Sequence, residues 1–193
     1  IATAPLSTVC NASPDILSAP PTVGTMQNSQ NLTTVLSTNN DLTPTTLRVL
    51  DIIDGTIVDG PGLRTSIYLA GCAHQCPGCH NPSSWDFEGG TETSIDALVD
   101  HVRENDFDVT LSGGDPLYQL PGVIALCKRI RHELKKNVWL YTGFTIEQIS
   151  ESPILQSILD EVDTIVEGPF VESLRDPSLH FRGSSNQRII HLK

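Results

Sequence analysis

The chain has 193 residues, 38% of them apolar and 18% charged, enough for one compact domain with room for an appendage. Twelve Lys and Arg against 23 Asp and Glu leave a formal charge of −11, a surface that repels phosphate backbones, so no nucleic-acid partner is expected. No apolar run approaches the roughly 20 residues that cross a bilayer, so no membrane role is expected either.

Residues 1–47 carry no Lys or Arg and only two acids, Asp15 and Asp41, among many Thr, Ser, Asn and Pro. Thr33–Asn40 has no sustained helical periodicity and Pro20-Pro21 breaks any regular element, so 1–47 is expected to be a low-complexity, disordered tail ahead of a domain at 48–193. It lacks the basic start and compact apolar segment of a signal peptide, and a reducing, cytoplasmic location is expected.

From Arg48 onward the pattern is that of an α/β unit. A strand is predicted at Thr65–Ala70, followed by a cysteine-bearing loop that runs to Gly89-Gly90. Ser94 is placed to cap a helix with Ile95, Leu98, Val99 and Val102 on one face. A short strand at Asp108–Leu111, a helix from Leu120 to Lys135 and a strand at Val138–Tyr141 follow. One or two short helices fill Ile146–Leu159, interrupted near Pro153, and strands at Thr164–Val166 and Arg188–Leu192 close the chain. Strand and helix alternating over short connections predict a mostly parallel sheet with helices outside. Ligands of such sheets sit beyond the carboxyl ends of the strands, where the cysteine loop and Gly113-Gly114-Asp115 both fall.

Three of the five cysteines, Cys72, Cys76 and Cys79, lie within eight residues in a C-x3-C-x2-C spacing. Thiols this close are poorly placed to staple distant parts of a fold and well placed to converge on a metal centre. Three thiolates suit three irons of a [4Fe-4S] cluster, leaving the fourth iron open for a substrate. A structural zinc site with His74 or His80 as fourth ligand is the alternative. Gly71 and Gly78 let the backbone wrap a bulky group, and Pro77 stiffens the turn. Cys10 and Cys127 stand alone, Cys127 as a buried thiol of an amphipathic helix.

Other residues carry two readings each. Gly113-Gly114-Asp115-Pro116 is a ligand-binding turn or a tight β-to-α turn with Asp115 as helix cap. Asn81 is a ligand contact or a turn residue before Pro82. The Tyr141-Thr142-Gly143 strand end, with Thr142 as the candidate side chain, is a ribose contact or a helix start. His74 and His80 are read as exposed loop histidines, with tuning of a metal centre as the alternative. Arg64 is read as half of a structural ion pair, with a bound ligand as the other candidate partner. Trp85 and Phe87 suit a core or a docking face.

Together these stretches resemble the radical S-adenosylmethionine (SAM) superfamily, and within it the small activating proteins of glycyl-radical enzymes. The likeness rests on Asp59–Thr65, Cys72–Trp85 and Leu111–Leu117. Asp176–Leu179 with Arg182–Gln187 is similar to the subgroup that activates anaerobic ribonucleoside-triphosphate reductase. The resemblance spans about Leu50 to Leu192. It implies a partial (β/α) barrel and a [4Fe-4S] cluster on Cys72, Cys76 and Cys79 with one open iron, to which SAM binds. Gly113 and Gly114 would admit the methionine part of SAM and Asp115 would orient its amino group, with Asn81 and Thr142 as further contacts. A reduced cluster would cleave SAM to a 5′-deoxyadenosyl radical, which would take a hydrogen atom from a glycine of the partner reductase. The electron would come from a flavodoxin- or ferredoxin-like donor.

This chain departs from the common pattern in two places. Gly78 stands where many members carry an aromatic residue, and Asp115 where Glu is commoner. The tail has no counterpart in the family. Activation of another glycyl-radical enzyme, action on a small heterocycle, and a non-catalytic module stabilised by zinc or iron stay open as alternatives.

Overall fold

The computed structural model describes residues 44–193, so residues 1–43 of the expected tail, with Cys10, lie outside the described residues. Strand β1 (Thr46–Thr56) starts ahead of the expected boundary at Arg48. It belongs to a seven-stranded sheet with β2 (Arg64–Leu69), β3 (Thr91–Ser94), β4 (Asp108–Gly113), β5 (Val138–Tyr141), β6 (Thr164–Glu167) and β7 (Arg188–His191). The strand order is β3-β1-β2-β4-β5-β6-β7. Only the four central strands are mutually parallel. The expectation of a mostly parallel sheet therefore holds for the centre alone, because β1 pairs antiparallel with both β2 and β3, and β7 with β6.

The strands that the sequence did not mark have weak patterns. β3 is Thr-Glu-Thr-Ser, with no apolar residue, and is held as an edge by pairing with the first residues of β1. β1 changes register between Val49 and Asp51 and again between Ile53 and Thr56, which breaks the alternation that signals a half-buried strand.

Helix ends follow local chemistry. Ser94 accepts a hydrogen bond from the Ala97 amide at 3.1 Å and caps α1 (Ile95–Asn105), whose Ile95, Leu98, Val99 and Val102 are buried as predicted. α2 (Leu120–His132) stops short of Lys135, which has a left-handed φ of 58°. α3 (Ile146–Glu151) opens on a capping box between Thr145 and Gln148. It ends before Pro153, and a 3-10 turn follows at Leu155–Asp160. Among the described residues no helix is long and apolar enough to cross a membrane.

The two faces of the central strands differ in kind. Ile67, Leu111, Leu140 and Ile165 are in register across β2, β4, β5 and β6, and all are fully buried. They form one apolar cluster with Leu98 and Val102 of α1, Leu126 and Ile130 of α2 and Ile149 of α3. The next residues along these strands point the other way. Ser66, Thr110, Trp139 and Thr164 make one row of that second face, and Tyr68 and Ser112 are paired in the row above. Ser66, Thr110 and Thr164 are buried yet polar. Among the described residues the three α-helices pack on the apolar face. The second face is covered by the loop between β1 and β2 and by the chain between β6 and β7, where Phe181 packs edge-on to Trp139 at 5.5 Å.

Arg64 anchors the lower end of this polar face at 1% exposure. Its guanidinium donates to Thr110 Oγ1 at 2.7 Å, to the Val109 carbonyl at 2.6 Å and to Asn137 Oδ1 at 3.1 Å, and lies over the Trp139 ring. Burial pulls its pKa down, partly offset by the Asp108 charge. Asp108 is 3.9 Å away, so Arg64 is structural but is satisfied chiefly by neutral oxygens.

Candidate functional site

The cysteine loop leaves the carboxyl end of β2 and returns to its own root. The Gly71 amide donates to the Ser84 carbonyl at 2.9 Å and the Cys72 amide to the Trp85 carbonyl at 3.2 Å, closing the loop through the short 3-10 turn Pro82–Trp85. Within it the Cys79 amide donates to the Cys76 carbonyl at 3.1 Å, around Gly78 at φ 73°. Cys72 is buried and Cys76 and Cys79 are half-buried. Burial pushes the Cys72 thiol pKa up, so its thiolate needs a cation beside it. Among the described residues no His, Cys, Asp and Glu side chains are gathered in threes to hold a single metal ion. A four-iron cluster asks for a different arrangement, with one thiolate to each of three irons. Three free thiols on one loop match that donor set.

The β4 end is built against the root of this loop. A Cβ at Gly114 would lie 2.5 Å from the Gly71 carbonyl oxygen, and one at Gly113, whose φ is 104°, would strike the Leu69 backbone. The glycine pair is thus demanded by backbone packing between β4, β2 and the cysteine loop. The Asp115 amide donates to the Gly71 carbonyl at 2.9 Å across the same junction. The buried carboxylate of Asp115 is occupied by protein donors. Oδ1 accepts from the Leu117 amide at 3.0 Å, and Oδ2 accepts at 2.9 Å from each of Thr142 Oγ1, the Gly143 amide and His74 Nε2. Asp115 therefore caps the following turn, Pro116–Gln119, and ties it to the β5 end and the cysteine loop. His74 is half-buried within this network, not an exposed loop residue, whereas His80 is exposed.

A cavity of roughly 520 Å³ opens above the polar face of the sheet. Tyr68, Ser112 and Tyr141, at the ends of adjacent strands, line it together with Gly113, Cys79 and Asn81. Of the residues singled out from the sequence, Cys79, His80, Asn81, Gly113, Arg182 and Gln187 line it, and Gly114, Asp115 and Thr142 do not. Asn81 Oδ1 accepts from Ser83 Oγ at 2.5 Å. Asp59, Phe170, Leu179 and Phe181 complete the opposite wall with Arg182. The Tyr68 hydroxyl donates to Asp59, and burial with that bond pushes its pKa up to about 12. Burial and the Asp59 charge likewise raise Tyr141, keeping it a neutral phenol. Tyr141 Oη and Arg182 Nε are buried with no hydrogen-bond partner. Two orphaned polar atoms in the wall of one cavity are what a polar ligand would satisfy.

The Arg182–Gln187 stretch is a clasp. Gln187 Oε1 accepts from the Gly183 and Ser184 amides at 2.9 and 3.2 Å, and its Nε2 donates to the Gly168 carbonyl at 3.0 Å. This holds Phe170, Leu179 and Phe181 over the cavity. Gly78 is explained by its left-handed φ of 73°; a Cβ there would also lie 2.9 Å from the carboxyl carbon of Glu172, an exposed side chain that can move aside. Cys127 is fully buried in the apolar core, and burial pushes its thiol pKa up. Phe87 is exposed, covering Gly71 with its ring edge-on to Tyr118 at 5.5 Å, and Trp85 is half-buried. Tyr68, Asp59 and Phe170 escaped the sequence reading as site residues, whereas Tyr141, part of the strand end marked from the sequence, lines the cavity. The usable signal was the polar alternation Ser66/Tyr68, Thr110/Ser112 and Trp139/Tyr141 inside strands too central to be half-exposed.

A family model described as a 4Fe-4S single cluster domain matches residues 58–190. The chain is 37% identical over 146 residues to the anaerobic ribonucleoside-triphosphate reductase-activating protein of Escherichia coli (strain K12), covering 71% of this chain and 94% of that protein. The protein of the same name from Enterobacteria phage T4 is 34% identical over 141 residues, covering 68% of this chain and 86% of its own length. The crystal structure of QueE from Escherichia coli superposes with a TM-score of 0.43 at 13% identity, over 63% of this chain and 70% of that one, too distant to bear on the fold.

Proposed function

This chain belongs to the family of anaerobic ribonucleoside-triphosphate reductase-activating proteins, and from that premise we propose that it uses a [4Fe-4S] cluster and SAM to generate a 5′-deoxyadenosyl radical and install a glycyl radical on that reductase. In this reading the mixed sheet is a partial (β/α) barrel of radical SAM type, with the polar face of the strands as its interior. The single observation that carries it is the adjacency of the three-thiol loop to the cavity, with Cys79 forming part of the cavity wall.

Cys72, Cys76 and Cys79 would hold three irons and leave one open toward the cavity. Bound together, cluster and SAM supply the one-electron cleavage of a carbon–sulfur bond and the radical that abstracts the glycine hydrogen. The protein's part is to bind, orient and exclude water. Gly113 and Asn81 give the methionine end of SAM a close approach to backbone beside the cluster loop. Tyr141 and Arg182 offer the hydrogen bonds that the fold leaves unmade. Phe170, Leu179 and Phe181 give an apolar wall that keeps water from a reactive carbon centre. A flavodoxin- or ferredoxin-like protein would deliver the electron, and the reductase would present its glycine at the cavity mouth.

Anaerobic reconstitution with iron and sulfide, then reduction and addition of SAM, tests the reading. The expected outcome is 5′-deoxyadenosine formed only with reduced cluster, and an organic-radical signal in the electron paramagnetic resonance (EPR) spectrum once the reductase is added. Tight zinc binding with no cluster and no SAM cleavage, with the reductase present, would overturn it.

A further inference from the structure

Between Cys72 and Cys76 the chain projects one side chain inward, that of His74, and the fold has a fitted seat for it. Asp115 forms the back, its Oδ2 accepting from His74 Nε2 at 2.9 Å. Phe144 meets the ring edge-on at 4.6 Å and Tyr118 at 5.7 Å. Gly143 forms the side, where a Cβ would lie 2.5 Å from His74 Cδ2. The φ of Gly143 lies outside the left-handed range, so its backbone accepts an L side chain, and the three atoms nearest to a Cβ there all belong to the His74 ring. The same Asp115 oxygen holds Thr142 and Gly143 at the β5 end, and the Asp115 amide holds Gly71 at the loop root. The cysteine loop is thereby tied to the ends of β2, β4 and β5 through one buried residue, Asp115, by its amide and its carboxylate together.

We propose that His74 is a positioning residue, which seats the metal-binding loop in a slot made by Asp115, Gly143, Phe144 and Tyr118, and that Asp115 acts through this seat without touching the cofactor. The inference uses the proposed function only in taking the loop to carry a cluster; the seat itself is a property of the chain. Of the four hydrogen bonds that the Asp115 carboxylate accepts inside the protein, one falls on buried Oδ1 and three converge on Oδ2, which is spent. A ligand that recruited it would have to displace His74, Thr142 or the Gly143 amide, each a donor at 2.9 Å.

The test compares His74→Ala, Gly143→Ala and the double variant in the full chain. Gly143→Ala evicts the ring by filling its space, and His74→Ala removes the ring, so both free the same loop. In metal-free protein the buried Cys72 should be alkylated by iodoacetamide about tenfold faster in each single variant, the factor that goes with losing one hydrogen bond to a charged acceptor. In the double variant Gly143→Ala should add nothing, because the ring it strikes is gone. Reconstituted protein should release iron to a chelator faster in the same order. The SAM concentration that half-saturates the change in the EPR spectrum of the reduced cluster should rise, and His74→Gln, which keeps a donor toward Asp115, should restore it. Wild-type alkylation rates in Gly143→Ala, or additive effects in the double variant, would overturn the seat. Asp115→Asn weakening SAM binding with Cys72 reactivity unchanged would show that the carboxylate serves the cofactor directly. Failure of the wild type to take up a cluster would count against the proposed function alone, since the alkylation rates need no metal.

Discussion

The two faces of the central sheet do different work, although the same strands supply both. Ile67, Leu111, Leu140 and Ile165 face the helices and are wholly apolar. Ser66, Thr110, Trp139 and Thr164, one residue away, face loops and are mostly polar, though almost as well buried. An apolar face closes on itself, since every contact improves with tighter packing. A polar face closes where its donors and acceptors find partners, as Arg64 does with Thr110, Val109 and Asn137, although the buried Ser66 hydroxyl is left without one. Where partners run out, at Tyr141 and Arg182, a cavity stays open. The apolar core thereby lies on one face and the open cavity on the other.

The sharpest separation should come from the cysteines. Replacing Cys72, Cys76 or Cys79 with Ala is expected to abolish cluster assembly and 5′-deoxyadenosine formation, while the melting temperature of the metal-free protein stays within a few degrees. Full SAM cleavage in any one of the three would break the assignment of the loop.

A core substitution should do the reverse. Leu111→Ala, which empties a fully buried position, is expected to cost about 2–5 kcal/mol in urea denaturation. Ser112→Ala, on the cavity side of the same strand, should lie within about 0.5 kcal/mol of wild type. Comparable losses for the two would mean that the faces are not divided in this way.

Tyr141→Phe removes only a hydroxyl that the fold leaves unpartnered. Stability should hold or rise slightly, and affinity for S-adenosylhomocysteine, read by calorimetry, should fall about tenfold, the worth of roughly 1.4 kcal/mol. A marked loss of stability with unchanged affinity would assign the hydroxyl to the fold.

The smallest effect concerns pH. Burial raises the Cys127 thiol above its ordinary value of 9.0, so the folded chain keeps a proton that the unfolded chain gives up. Its contribution is complete below pH 9 and is lost as the pH rises above it. Cys127→Ala should flatten the fall in stability between about pH 9 and 11, measured by denaturation at each pH. It should leave cluster assembly unchanged.

Local chemistry made much of this legible in advance. The Ser94 cap, the apolar stripe of α1, the break before Pro153 and the β5 limits follow from neighbours in the chain, and the structure has them where the sequence puts them. The Gly-Gly-Asp turn was marked correctly as a special place, but its physical reason was not readable. Gly113 and Gly114 meet the backbone of Leu69 and Gly71, residues more than forty positions earlier. The Asp115 partners His74, Thr142 and Gly143 lie 41, 27 and 28 positions away. β1 and β3 were missed because bulges and an all-polar edge erase the period-two signal that marks a strand.

The sequence by itself determined the thiol donor set, the parallel centre of the sheet and the family likeness, because each rests on residue type at short spacing. Tertiary structure alone decided which of the marked residues line the cavity and which do not. It turned Asp115 and Thr142 inward to hold the loop, and it brought Tyr68, Tyr141 and Arg182 to one cavity. That choice depends on strand register and on where a buried carboxylate finds its donors, and both are settled by contacts between segments far apart in the chain.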